Sequence, residues 1–271
     1  MDIEPFAPWI DRWGLEVDGE PFTTPYAHSR LLPVRIKGRP AMLKLGASPD
    51  ERRGGAVMAW WNGQGAAPVL AHDDTAILML RAEGACSLVA MAMSGLDDEA
   101  TTTICDTIGQ LHGRCDAAPA GLPPLHDLFR SLRNASDLRL AGPAAAAARL
   151  FRDPRDSVVL HGDIHHRNIL DFGSEGWLAI DPWGYVGERA YDYANILRNP
   201  ELDRVVAPGR LERHVALIAA RASLDHDRFE LWVYAHAGLA AAWEIEDGHD
   251  PARSFAVIDI VEARLIGRTC Q

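Results

Sequence analysis

The spacing of apolar residues changes once along this chain, near residue 81, and that change constrains the fold more than any other feature. Before it, apolar residues come in short runs bounded by turn residues. Residues 15–18 alternate, Leu32-Pro33-Val34-Arg35-Ile36 follows, and Lys37-Gly38-Arg39-Pro40 leads into Ala41-Met42-Leu43-Lys44-Leu45. Residues 69–70 and 76–80 read as a further strand pair. One helix interrupts them. Ser48-Pro49-Asp50-Glu51 combines a cap residue, a first-turn proline and acids, which predicts a helix to about Trp61, where Asn62-Gly63 ends it. Beyond residue 81 the period is helical. Ile104, Ile108 and Leu111 fall at i, i+4 and i+7, as do Leu211, Val215 and Ile218. Ala144 to Ala148 follow Pro143 as a strong helix former, and Phe255, Ile258, Val261 and Leu265 define a last amphipathic helix. Short non-helical segments remain at 158–170 and 177–181. The expected architecture is α+β, with a β-rich lobe over residues 1–81 and a larger, mainly helical lobe over residues 82–271. A chain of 271 residues is long enough for both to bury a core.

Charge and cysteine usage narrow the setting. The balance of 27 Lys and Arg against 38 Asp and Glu gives a formal charge of −11. That argues against nucleic acid or an anionic membrane as partner and mildly favours a cationic one, although plain solubility accounts for it equally well. The start, Met1-Asp2-Ile3-Glu4-Pro5, carries acid where a signal peptide carries base, and no apolar h-region follows. The most apolar stretch, residues 235–243, is short and interrupted by His236 and Gly238, so no membrane span is expected. Cys86, Cys105, Cys115 and Cys270 are scattered, with no CxxC pair, which points to a reducing cytoplasm.

The densest polar cluster is His161-Gly162-Asp163-Ile164-His165-His166-Arg167-Asn168, after Val158-Val159-Leu160 and before Ile169-Leu170. Gly176-Trp177-Leu178-Ala179-Ile180-Asp181-Pro182 follows as a turn, a strand and an acid at its end. An apolar hairpin that brings Asp163, Asn168 and Asp181 to one mouth is costly unless those groups have partners. Two oxygen ligands for Mg²⁺ and one carboxylate for a hydroxyl proton would use this set. Singly, each residue has a bland reading: a turn aspartate, a loop cap, an edge lysine. A metallophosphoesterase also wants an upstream D-x-H and a downstream G-N-H, and neither is present; a zinc site from His161, His165 and His166 lacks a fourth ligand at usual spacing.

His161-Gly162-Asp163 with Asn168 five residues beyond the aspartate resembles the catalytic loop of the protein-kinase-like fold, in the form H-G-D-x-x-x-x-N seen in aminoglycoside phosphotransferases. Ile180-Asp181-Pro182 stands where kinases carry D-F-G. The stretches 41–44, 60–67, 111–112, 160–200 and 239–243 are similar to the streptomycin 6-phosphotransferases. That group is joined with the hydroxyurea phosphotransferases in one family of antibiotic-resistance kinases. The similarity runs from about Arg12 to Leu265.

The resemblance implies a two-lobe kinase fold with its hinge near residues 81–84. It also implies roles. Asp163 accepts the proton of the acceptor hydroxyl, and Asn168 and Asp181 hold Mg²⁺. Lys44 holds the nucleotide phosphates, with Glu51 as its ion-pair partner. His161 props the loop, and Asp192 secures it through backbone donors. Residues 23–29 carry no glycine, so G-x-G-x-x-G is absent and Ser29, a threonine hydroxyl or backbone amides must meet the phosphates. The purine edge is read mainly by backbone in the strand ending Met79-Leu80-Arg81. The nucleotide is ATP, with GTP left open. Streptomycin-type acceptors carry guanidinium groups, which suit carboxylates, so Glu188, Glu244, Glu246 and Asp247 are candidate substrate contacts, although acids at a helix end are commonly plain surface. The partners expected are a small cationic substrate and a nucleotide, with no nucleic acid or membrane, for a monomer or weak dimer. The alternatives are a kinase of this fold acting on another small hydroxylated metabolite, or a nucleotide-binding protein without catalysis.

Overall fold

A computed structural model describes residues 2–23, 29–46 and 48–269. A short helix, α1 (Ala7–Trp13), ends on Gly14, whose left-handed φ of 61° turns the chain into a sheet. Strands β1 (Glu16–Val17), β2 (Phe22–Thr23), β3 (Arg30–Ile36) and β4 (Arg39–Leu45) lead to helix α2 (Pro49–Trp61). Then β5 (Val69–His72) and β6 (Ala76–Leu80) complete a six-stranded sheet of order β1-β3-β4-β6-β5, with β2 on β3. The β3–β4 turn is Lys37-Gly38, both at positive φ, as a two-residue hairpin requires. That register sets Lys44 opposite Leu31 on one side and Ile77 on the other. Leu32, Val34, Ala41, Leu43 and Leu78 form a small core with Phe6 and Leu15, against which Trp9, Ile10 and Trp13 of the α1 region pack. Sequence periodicity does not signal α1, because seven residues make too few turns to display a repeat.

The rest of the chain is mainly helical, as expected. Helices α3 (Leu88–Met93), α4 (Asp97–His112), α5 (Leu125–Leu128), α6 (Arg130–Asn134) and α7 (Ala141–Arg152) precede strand β7 (Ser157–Leu160). The hairpin β8 (Ile169–Asp171) and β9 (Trp177–Ala179) follows, and β10 (Tyr185–Glu188) returns to pair with β7. The chain continues through α8 (Ala190–Ala194), α9 (Leu202–Val205), α10 (Arg210–Ala222), α11 (His226–Glu246) and α12 (Ala252–Thr269). Helix α11 is the centre of this region, buried at nearly every position from Phe229 to Ala242 because it is apolar all round. A buried bidentate pair, Arg210 Nε to Asp97 Oδ2 at 2.7 Å and Nη2 to Oδ1 at 3.1 Å, ties α10 to α4. Among the described residues no helix is long and apolar enough to cross a membrane.

Two attachments join the sheet region to the β8–β9 hairpin. In the segment linking β6 to α3, Gly84 donates its N–H to Asp171 O at 2.9 Å, and a Cβ there would lie 2.0 Å from Asp171 Cγ. On the other side, the segment after α2 crosses to β9: Ala179 N–H donates to Gly65 O and Ala67 N–H to Ala179 O, both at 2.9 Å. Gly65 has a φ of +70°, and a Cβ on it would meet Leu111 N at 2.9 Å, so only glycine fits the strap.

Candidate active site

The loop between β7 and β8 carries Asp163, and its shape is fixed from α8. Asp192 is buried and accepts from His161 N and Gly162 N, each at 2.9 Å, while His112 Nε2 lies 2.9 Å from the same carboxylate. Gly162 turns at a φ of +89°, which admits those two adjacent amides to one carboxylate. His161 is fully buried. Its Nε2 sits 2.9 Å from Ile180 O, its Nδ1 accepts from Asp163 N at 3.3 Å, and its ring stacks on Trp61. Burial lowers its pKa, so the ring is neutral, with its proton on Nε2. His161 therefore links the loop to the residue before Asp181.

Two side-chain amides hold Asp163. Asn195 Nδ2 donates to Asp163 Oδ1 at 3.2 Å, and Asn168 Nδ2 donates to the Asp163 carbonyl at 2.8 Å and to Oδ2 at 3.4 Å. His165 Nδ1 accepts from Arg167 N, which leaves Nε2 to carry the proton, 3.8 Å from Asp163 Oδ2. Burial pushes the Asp163 carboxyl up to about 7, opposed by the nearby Arg198 and reinforced by Asp181. Burial also drives His165 down to about 3.

Asp181 follows β9 at a φ of +63°, a conformation that costs a non-glycine residue energy and recurs at functional sites. Its carboxylate pairs with the Lys44 ammonium. Lys44 thus pairs with Asp181, where the resemblance implied Glu51. Glu51 instead closes a capping box on α2, accepting from Ser48 N at 2.9 Å, and it takes the Ser29 hydroxyl as well. Ser29 is correspondingly buried, and its hydroxyl donates to Glu51. The rest of the expected phosphate segment, residues 24–28, lies outside the described residues. Met79 is buried in β6 and lines an open pocket together with Lys44, Glu51, Met58, Ile77 and Asp181. Arg81 turns away: its side chain binds Asp18 at 2.6 Å and Glu83 at 3.0 Å, and its N–H serves Pro40 O.

The expected substrate acids fare differently. Glu188 is buried on β10, where it accepts from Arg228 at 2.6 and 2.7 Å, from Trp232 Nε1 at 2.8 Å and from Arg155 N at 3.1 Å. A carboxylate saturated in that way anchors α11 to β10 and is no substrate contact. Glu244 holds Arg198 at 2.8 Å and Ser254 at 2.6 Å, a clamp between α11 and α12. Glu246 takes the Ser131 hydroxyl at 2.7 Å, and Asp247 is exposed at the end of α11. Sequence reasoning missed Asn195 and Arg198. Their signal was spacing: Asp192, Asn195 and Arg198 recur every three residues and present one side of the chain to the loop.

Asn168 and Asp181 suit a hard divalent cation. The Asn168 amide nitrogen is engaged by Asp163, which leaves its oxygen as the acceptor, and the Asp181 carboxylate is partly exposed beside Lys44. Two protein oxygens with further positions for phosphate and water is the usual arrangement for Mg²⁺. The neighbourhood thus combines a carboxylate held by two amides, the oxygens of Asn168 and Asp181, and a buried ammonium.

The chain is similar to known proteins. Residues 12–248 match the model of the aminoglycoside/hydroxyurea antibiotic resistance kinase family. A streptomycin 3''-kinase of Klebsiella pneumoniae is 47% identical over 88% of this chain and 92% of its own length. A streptomycin 6-kinase of Streptomyces griseus is 32% identical over 88% of this chain and 81% of its own. Among solved structures, a thermostable mutant of an aminoglycoside phosphotransferase in ternary complex with ADP and hygromycin B superposes with a TM-score of 0.65 at 15% identity, covering 97% of this chain and 98% of the other. A choline kinase from Streptococcus pneumoniae gives 0.66 at 12% identity, covering 96% and 98%. The fold is therefore protein-kinase-like, and the chain belongs to the aminoglycoside/hydroxyurea antibiotic resistance kinase family.

Proposed function

We propose that the protein transfers the γ-phosphoryl group of ATP to a hydroxyl of a streptomycin-type aminoglycoside. The sheet region with Lys44, within residues 1–81, takes the nucleotide; residues 82–271 take the acceptor. The acceptor oxygen forms a bond to the γ-phosphorus, the bond to the departing ADP oxygen breaks, and the hydroxyl proton passes to Asp163. Asn195 and Asn168 hold the two oxygens of that carboxylate, so one is presented to the hydroxyl at little reorganisation cost. Lys44 meets phosphate oxygens while Asp181 keeps its ammonium in place. Mg²⁺, held by Asn168 and Asp181, would neutralise charge on the phosphates. The single observation that carries this reading is the convergence of Lys44, Asp163, Asn168 and Asp181 on one mouth in a chain 47% identical to a streptomycin kinase.

The 3''-hydroxyl is the favoured acceptor position, on the strength of 47% identity to a 3''-kinase against 32% to a 6-kinase. A coupled ADP-release assay with streptomycin, with ATP or GTP, and phosphorus NMR of the product test both statements. Asp163→Ala is expected to lower turnover at least ~100-fold. A wild-type protein that turns over another hydroxyl compound but not streptomycin overturns the substrate, and a product phosphorylated at the 6-hydroxyl overturns the position.

A further inference from the structure

Glu188 and Glu244 are both committed to arginines of the protein itself, so recognition of a cationic acceptor needs other groups. The geometry points to an aromatic wall, Trp183 with Trp243, as the subsite that takes the planar guanidinium of the acceptor, with Asp247 at its rim. This rests on the proposed substrate class and assigns the residues that select it.

Trp183 stands two residues beyond Asp181, and its backbone is pinned on both sides. Its N–H donates to His161 O at 2.7 Å, and its carbonyl accepts from Arg53 Nε at 2.7 Å. A Cβ on Gly162 would lie 3.2 Å from Trp183 Cβ, so this tryptophan covers the backbone immediately before Asp163. Trp243 meets it edge to face, with ring centroids 5.6 Å apart and planes at 72°. Trp243 precedes Glu244, which holds Arg198, the cation nearest in effect to Asp163. The pair therefore stands beside the Gly162 turn that leads into Asp163, with one ring supplied by the segment after β9 and the other by α11.

Both indoles are half-buried, and neither ring N–H has a hydrogen-bond partner among the described residues. Aromatic faces fixed in this way stack on guanidinium, which is planar and more weakly hydrated than an ammonium. Asp247 lies one helical turn beyond Trp243, on the same face of α11 and exposed, where a carboxylate can take the outer N–H fork.

Trp183→Leu and Trp243→Leu, assayed with streptomycin and ATP, test the wall. Each is expected to raise the KM for streptomycin about tenfold while kcat changes less than about threefold and the KM for ATP stays put. Trp243→Phe should recover most of the loss. Methylguanidinium should inhibit the wild type competitively against streptomycin and not against ATP, and weaken about tenfold in the leucine variants. Leucine variants that keep the wild-type KM for streptomycin, or methylguanidinium that does not compete, overturn the inference. Should a leucine variant fail to fold, Trp243→Phe and the competition experiment on the wild type decide. A wild type inactive on streptomycin defeats the functional reading alone. In that case the wall is judged by quenching of tryptophan emission on titration with methylguanidinium: quenching upholds it, and none overturns it.

Discussion

Two adjacent glycines of α2 provide a controlled perturbation of the catalytic geometry. A Cβ on Gly54 would lie 2.1 Å from the carbonyl oxygen of Pro182, whereas a Cβ on Gly55 would meet nothing nearer than His72 Nε2 at 3.4 Å. The contact at Gly54 is with backbone and falls more than about 1 Å short of a tolerable carbon–oxygen separation, so α2 or the Asp181-Pro182 segment must move by about that much. Overpacking of this kind costs about 1–3 kcal/mol, and alanine regains about 1 kcal/mol of helix propensity over glycine. The net loss of stability is about 0–2 kcal/mol, a few degrees of melting temperature in a chain of this size. Catalysis is affected far more, because Asp181 adjoins the displaced carbonyl and a misplacement of about 1 Å can cost ~100-fold. Gly54→Ala is therefore expected to lose about two orders of magnitude in kcat/KM in a coupled ADP-release assay while it melts close to the wild type. Gly55→Ala should keep its activity within about twofold and gain up to ~1 kcal/mol. A Gly54→Ala enzyme with wild-type turnover, or a Gly55→Ala enzyme equally impaired, would refute the reasoning.

Arg210→Met strands the Asp97 carboxylate in the core and should cost about 3–5 kcal/mol in urea unfolding, most of it recovered in the Arg210→Met, Asp97→Leu double variant. Burial holds His165, His166 and His236 near 3, so these sites are neutral when folded and take up protons when unfolded below about 6.5. Asp163, raised to about 7, opposes this by binding a proton when folded. The unfolded chain therefore binds between about one and two more protons over this range, and stability should fall by about 2 kcal/mol as pH drops from 6 to 5. Urea midpoints at pH 7, 6 and 5 check this, and an unchanged midpoint would contradict it. Cys86 and Cys115 are exposed, while burial pushes the Cys105 thiol to about 12. Iodoacetamide should label the first two in the native protein and reach Cys105 only after denaturation, as peptide mapping would reveal.

The α+β layout was readable because strand and helix periods differ and the switch near residue 81 is abrupt. The spacing of Asp163, Asn168 and Asp181 was readable because the first two share one short loop and the compact β8–β9 hairpin alone separates them from the third. The acids were not. Glu188 meets Arg228 forty residues away and Glu244 meets Arg198 forty-six residues before it, and local pattern holds no record of such partners. Glu51 is ambiguous in the sequence for a related reason. Its sequence position serves a capping box and a kinase ion pair equally well, and only the approach of Asp181 to Lys44 separates them.

The two attachments of the β8–β9 hairpin make it a bridge rather than a surface ribbon. Gly84 grips β8 through Asp171, and the strap at Gly65–Ala67 grips β9 through Ala179. The hairpin is thus bonded to the segments that follow β6 and α2, although it lies some ninety residues further along the chain. Asp181, just past β9 and bound to Lys44, extends the bridge into the sheet. The Asp163 loop joins it from the other side, because His161 accepts from Asp163 N and meets Ile180 O, while Asp192 and Asn195 fasten the loop to α8. The ammonium on the sheet and the carboxylate on the loop are therefore referenced to one another through a single hairpin.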